Sequence, residues 1–213
     1  TKIIKRGSLV EEQVEHAIPA LFEGDIELAK TVISRDDEVD KYDIKIDKHC
    51  QRIFALTQPV AFDLRMIMSA LMINNDLERM GDIAGNISER TVPMMGFKDL
   101  LLKMRVGDMT EKVKKIVKMS IDCFVNSDAE LAKSIIRMDI EIDKLDNEIF
   151  DLLTEEMKAH NELIVPCSHI LTLIRNIERL SDHATNIAED VIFLIDAKII
   201  KHSKDFDNLK QKD

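Results

Sequence analysis

Apolar residues recur every three to four positions along most of the chain, the spacing of one face of an α-helix. In the first half this pattern runs from Leu9 to Leu21 and stops near Gly24. Two further helices are predicted over residues 25–34 and 35–56. A turn follows, and another helix is predicted to start at Pro59, because proline suits the first turn of a helix. This helix is predicted to end near residue 90.

The second half of the chain repeats this order. Helices are predicted over residues 100–125, 128–158 and 166–197, and the segment 91–96 is the predicted link between the halves. We therefore expect an all-α protein made of two antiparallel three-helix bundles, over residues 1–92 and 97–197. Residues 198–213 are predicted to form a polar tail.

The repeat is an internal duplication. Residues 25–43 match residues 128–146 at 11 of 19 positions, at an offset of 103. Residues 77–89 match residues 177–189 at 7 of 13 positions, at an offset of 100. Two copies of one unit follow from these matches.

Composition narrows the class of protein. Acidic residues number 40 and basic residues 30, so the net charge of -10 argues against a nucleic-acid partner. The 3 cysteines are far apart and form no CxxC, which favours small buried thiols in a reducing compartment. No signal peptide is recognisable at Thr1–Arg6, and no apolar run is long enough to span a membrane. We expect a cytoplasmic protein.

Acidic residues spaced four apart are the candidate functional residues, because such side chains stack on one helix face. The pair Asp36 and Asp40 is symmetric with Asp82 and Glu78 about residue 59, inside a predicted turn. The same symmetry holds about residue 160.5 in the second copy. Each copy thus brings four carboxylates to one level on neighbouring helices. They are predicted to bind metal ions: Asp36, Asp40, Glu78, Asp82, Asp139, Asp143, Glu178 and Asp182.

Four further residues of the duplicated segments are additional candidate ligands, Asp43, Asn86, Asp146 and Asn186. Oxygen donors fit divalent or trivalent ions such as Mg, Ca, Mn or Fe, and Zn stays open. The alternative is a solvated acidic face whose carboxylates pair with nearby lysines and arginines.

The segments LERMGDIAGNISE and IERLSDHATNIAEDV, preceded by QPVAFDLR at residues 58–65, resemble the repeats of the PhoU family of phosphate-uptake regulators. The resemblance covers residues 10–196 and implies two three-helix bundles whose E(D)xxxD motifs hold multinuclear metal clusters. It also implies a regulator that works with the phosphate ABC transporter, on its ATPase side, and with a membrane sensor histidine kinase. We expect a homodimer that contacts the membrane only through these partners.

Two other functions are considered. A ferritin-like di-metal oxidase needs Glu-x-x-His, and none of the 6 histidines has Glu three positions before it. No Gly-rich phosphate loop or nucleophile–base pattern is recognisable, so a non-enzyme is expected. A helical scaffold without metal is the remaining alternative. His183 is expected to have a structural or interface role, and Met66, Met68 and Met72 are expected in the core.

Overall fold

The computed structural model describes residues 2–200, and these contain α-helices, one short 3₁₀ turn and no strand. The first bundle consists of α1 (Lys2–Glu23), α2 (Ile26–Ser34), α3 (Asp36–Thr57) and α4 (Ala61–Glu89). The second consists of α6 (Val106–Asn126), α7 (Ala129–Ala159) and α8 (Ile164–Asp196), and the short helix α5 (Lys98–Lys103) precedes it. The predicted pair of antiparallel three-helix bundles is confirmed, with α2 and α3 together corresponding to the single helix α7. Of the predicted tail, residues 201–213 lie outside the described residues.

The first turn of each bundle is built in the same way. Gly24 has φ +67° and Asp25 accepts the backbone N–H of Leu28 at 3.0 Å, which caps α2. Ser127 has φ +51°, and Asp128 accepts the N–H of Leu131 at 2.9 Å to cap α7. A left-handed residue followed by an N-cap aspartate thus ends one helix and begins the next in both copies.

Two predicted boundaries are wrong. α4 begins at Ala61, so Pro59 lies in the connection before the helix. The predicted helix over residues 100–125 is broken by Arg105, which has φ +58° and separates α5 from α6. The segment α5 therefore forms an extra short helix beside the second bundle.

The two bundles meet along α4 and α8, the longest helices of their halves. Leu77 and Met80 of α4, and Ile177 and Leu180 of α8, belong to one buried cluster that extends through both bundles. None of the helices between residues 2 and 200 combines the length and the apolarity that a membrane span requires.

Polar groups cross the interface between the bundles. Asp76 Oδ1 lies 2.8 Å from His183 Nδ1 and accepts a hydrogen bond from Asn186 Nδ2 at 3.2 Å. Ser69 Oγ donates to the carbonyl of Asp190 at 3.2 Å. The expected interface role of His183 is therefore confirmed. Met68 and Met72 are exposed on α4, so their predicted place in the core is wrong.

Candidate functional site

The acidic residues predicted to lie level on α3 and α4 are neighbours in the first bundle. The pKa of Asp36 is raised by burial and by the negative charges of Asp40, Asp82 and Glu78. The pKa of Glu78 is raised as well, by burial and by Asp82. All four acidic side chains of the first copy therefore lie within electrostatic reach of one another.

A buried arginine lies beside this first acidic cluster. Arg6 of α1 is fully buried, and its Nη1 donates to Asp43 Oδ1 at 2.6 Å. The same nitrogen donates to the side chain and the carbonyl of Asn74. Asn74 Nδ2 in turn donates to Asp43 at 2.8 Å and to Asp47 at 3.2 Å. Asp43 and Asp47 of α3 thus have hydrogen-bond partners within the protein, and the charge of Arg6 offsets part of their negative charge.

The second bundle holds its acids differently. Asp139, the counterpart of Asp36, is buried and accepts a hydrogen bond from Ser181 Oγ at 2.7 Å. In the first copy the position of Ser181 is taken by Gly81, where an added Cβ would lie 3.5 Å from Asp36 Oδ1. The serine therefore orients Asp139, whereas the glycine offers Asp36 no hydroxyl donor.

Asp146 and Glu178 of the second cluster lie close together and are partly removed from water. Arg175 Nη1 donates to Asp146 Oδ2 at 3.0 Å, but the buried Asp146 Oδ1 has no hydrogen-bond partner in the described structure. Burial and the nearby charges of Asp182, Asp146 and Asp143 raise the pKa of Glu178 to about 7, against the opposing effect of Arg175. A buried carboxylate oxygen without a partner is costly, so a cation or a proton at Asp146 Oδ1 would stabilise the fold.

The two asparagines predicted as additional ligands lie in different surroundings. Asn86 lines a surface cavity of about 260 Å³ together with Asp36, Asp82 and Glu89. Asn186 directs its amide nitrogen to Asp76 at the interface between the bundles. The duplicated asparagines therefore differ in their contacts.

The carboxylates are neighbours but do not form a closed coordination shell. Between residues 2 and 200, no three His, Cys, Asp or Glu side chains are arranged to hold one ion. The donor chemistry is nevertheless that of a hard cation, because every candidate ligand supplies oxygen. Most of these side chains are at least partly exposed and lie on stable helices, so their carboxylates can turn without moving the backbone.

Two contacts of the sites were missed at the sequence level. Arg6 lies 37 residues before Asp43, and nothing in the local pattern of α1 connects the two residues. The exchange of Gly81 for Ser181 is visible within the duplicated segment and was the available signal for a difference between the two clusters.

A family model described as the PhoU domain matches the chain twice, at residues 3–91 and 106–191. These segments coincide with the two bundles. The duplication inferred from the sequence is thus a duplication of this domain.

Curated relatives cover nearly the whole chain. A protein of Aquifex aeolicus named phosphate-specific transport system accessory protein PhoU homolog is 38% identical over 94% of this chain and 91% of its own length. A protein of Pseudomonas aeruginosa with the same name is 33% identical over 94% of this chain and 83% of its own length.

Two solved structures have the same fold. The crystal structure of PhoU from Pseudomonas aeruginosa superposes with a TM-score of 0.85 at 33% identity, covering 92% of this chain and 95% of that one. The phosphate transport system regulatory protein PhoU from Streptococcus pneumoniae superposes with a TM-score of 0.86 at 27% identity, covering 93% and 94%. Both agree with the helical architecture described above.

Proposed function

The chain belongs to the PhoU family, and on that premise we propose that it is a cytoplasmic, non-enzymatic regulator of phosphate uptake. The names of its relatives describe accessory proteins of the phosphate-specific transport system. Its partners are then the phosphate ABC transporter, on the ATPase side, and a sensor histidine kinase that reports phosphate starvation. The acidic surface and the two similar bundles suit recognition of partners, including a second copy of the chain.

We further propose that each bundle binds metal ions through its acidic cluster. The observation that carries this proposal is the second cluster, where Asp146 Oδ1 is buried without a partner beside a Glu178 whose pKa is raised to about 7. Asp139, Asp143 and Asp182 complete the oxygen donors. A bound cation would give Asp146 Oδ1 a partner and would offset the negative charge of the surrounding carboxylates.

The first cluster is the weaker site in this proposal. Arg6 and Asn74 already hold Asp43 and Asp47, so Asp36, Asp40, Glu78 and Asp82 remain as ligands. We therefore expect fewer ions, or weaker binding, in the first bundle than in the second.

The metal proposal is tested by elemental analysis of protein purified without chelator. Asp182→Ala should remove most of the tightly bound metal, and Asp82→Ala a smaller part, because the second cluster holds the unpartnered Asp146 Oδ1 and the first cluster lies beside the buried Arg6. The double variant should lose nearly all metal. Asp151→Ala on α7 is the matched control, since this exposed acid lies outside both clusters. Metal content unchanged in the double variant would leave the acids as a solvated face, as in a metal-free scaffold.

The regulatory role is tested in the host organism. Deleting the gene should switch phosphate-starvation genes on in phosphate-rich medium, and the intact gene should restore silencing. The variant with both Asp82→Ala and Asp182→Ala should restore silencing only in part, if metal orders the surfaces that bind the partners. Normal regulation in the deletion strain would contradict this role while leaving the metal measurement to stand by itself.

A further inference from the structure

Arg6 is fully buried inside the first bundle, and a charged side chain is rarely buried to this extent unless it is paired. Its Nη1 donates to Asp43 Oδ1 and to the side chain and carbonyl of Asn74. Its Nε and Nη2 are buried without a hydrogen-bond partner among the described residues. The contacts that hold this guanidinium are therefore all made on the side of the first acidic cluster.

The second bundle has a methionine at the corresponding position. The repeat offset of 103 aligns the equivalent turns at residues 24–25 and 127–128, and it pairs Arg6 of α1 with Met109 of α6. Met109 is fully buried in the main core. The position is thus buried in both copies, but only the first copy has a positive charge there.

The surroundings of the arginine change in the same direction. At the repeat offsets, Asn74 corresponds to Ile174, and Asp47 corresponds to Phe150. Only Asp43 is retained, as Asp146. The second bundle therefore keeps one carboxylate of this group and has apolar residues in place of the arginine, the amide and the other carboxylate.

The retained carboxylate has an unsatisfied oxygen. The side chain of Asp146 is only 8% exposed, and its Oδ1 has no hydrogen-bond partner among the described residues. Its Oδ2 accepts from Arg175, a largely exposed side chain. In the first bundle, Asp43 instead receives the buried charge of Arg6 at 2.6 Å. A cation at Asp146 Oδ1 would supply in the second bundle what Arg6 supplies in the first.

A fixed guanidinium and a bound ion have different consequences for stability. A metal ion close to Arg6 would be repelled by its charge and would find Asp43 already engaged. The charge of an arginine is present at every metal concentration, whereas a bound ion stabilises the fold only while its free concentration exceeds the dissociation constant.

We propose that Arg6 is a built-in cation, which takes in the first bundle the place that a metal ion takes at Asp146 in the second. The first bundle is then held together at this point without metal, and the second bundle becomes ordered when the ion binds. The inference rests on the metal binding proposed above and deepens it, because it makes the second bundle the half of the molecule that responds to metal concentration.

The test exchanges the residues of the two copies in the whole protein. Arg6→Met gives the first bundle the side chain that the second bundle has. Metal-free protein is dialysed against Mn²⁺, an ion that suits carboxylate ligands, and the bound ions are counted. Arg6→Met should bind roughly one more Mn²⁺ per chain than the unmodified protein, because Asp43 then lacks its cation. In chelator, its melting temperature should fall by about 4 °C, and Mn²⁺ should restore it.

Amide hydrogen exchange shows which bundle responds. In the unmodified protein, chelator should speed exchange about tenfold in residues 139–153 and much less in the equivalent residues 36–50. In Arg6→Met, both segments should respond. Arg6→Lys keeps the buried charge, and Arg52→Met removes an exposed arginine from the same bundle. Both of these control variants should behave like the unmodified protein.

The reverse exchange combines Met109→Arg with Ile174→Asn, which copies the first arrangement into the second bundle. This variant should bind less Mn²⁺ than the unmodified protein, and exchange in residues 139–153 should no longer respond to chelator. A melting curve shows whether the variant folds. If it does not fold, Arg6→Met still decides.

The results that contradict the proposal are separable from those that contradict metal binding itself. A folded Arg6→Met variant with unchanged Mn²⁺ binding and unchanged exchange would overturn the role of Arg6, while metal bound to the unmodified protein would leave the proposed function intact. An unmodified protein that binds no metal, in this assay and in elemental analysis, would overturn both.

Discussion

At the residue scale, the two acidic clusters differ because single positions changed after the duplication. Arg6 corresponds to Met109, so only the first copy has a buried cation beside its acids. Gly81 corresponds to Ser181, so the second copy has a hydroxyl group that donates a hydrogen bond to Asp139, and the first copy has none at this position. The spacing of the acids predicted which carboxylates would be neighbours. It could not predict these partners, because they come from contacts between helices that local periodicity does not record.

The raised pKa of Glu178 makes the stability of the fold depend on pH. Its folded pKa of about 7 lies above its ordinary value, so the folded protein holds this proton more tightly than the unfolded chain does. Its contribution to stability is therefore present at low pH and is lost as the pH rises through about 7. In chelator, the melting temperature should fall between pH 6 and pH 8, and Glu178→Gln should remove part of that fall.

The control for this titration is Glu162→Gln, an exposed glutamate of the turn between α7 and α8. Melting curves of both variants are compared with the unmodified protein across the same pH range. If Glu178→Gln and Glu162→Gln change the fall equally, the burial of Glu178 is not its cause.

At the element scale, the sequence predicts helix boundaries correctly where helical periodicity and capping residues agree. The boundaries at Gly24 and Asp25 follow from a residue that tolerates positive φ and an aspartate that caps the next helix. The break at Arg105 was missed because a left-handed arginine has no local signature, and its ion pairs with Glu148 and Asp108 are contacts of the folded chain. Packing thus decided that boundary against the local pattern.

Replacing either of two glycines by alanine is expected to change the free energy of unfolding, in opposite directions at the two positions. Gly24→Ala should lower the free energy of unfolding by about 1 kcal/mol, because alanine is strained at φ +67°. Gly85→Ala lies within α4, and its added Cβ would meet nothing within 4 Å. It should raise the free energy of unfolding by about 0.5–1 kcal/mol, since alanine favours a helix more than glycine does. Urea denaturation in chelator measures both, and changes of the same sign would refute the backbone explanation.

At the scale of the whole molecule, the duplication sets the architecture, and the asymmetry between its copies distinguishes the two halves. The corresponding acids Asp43 and Asp146 have different partners in the two bundles, Arg6 in the first and Arg175 in the second. The family match covers both copies and therefore does not explain these differences. The interface between α4 and α8 connects the two halves.

Asp76 connects α4 to α8 across the interface between the bundles. Asp76 is buried on α4 and accepts from Asn186, with His183 also in hydrogen-bond contact, so Asp76→Ala leaves two polar groups of α8 without their partner. We expect a loss of about 2 kcal/mol in the free energy of unfolding, typical of buried groups left unsatisfied. The matched control is Asn176→Ala, at the same position of the second copy, where no such contact to α4 is present among the described residues and the loss should be clearly smaller. Because Asp76 joins helices of different bundles, its variant should also broaden the melting transition, as the halves begin to unfold separately. Equal losses in the two variants, with unchanged cooperativity, would mean that apolar packing alone holds the bundles together.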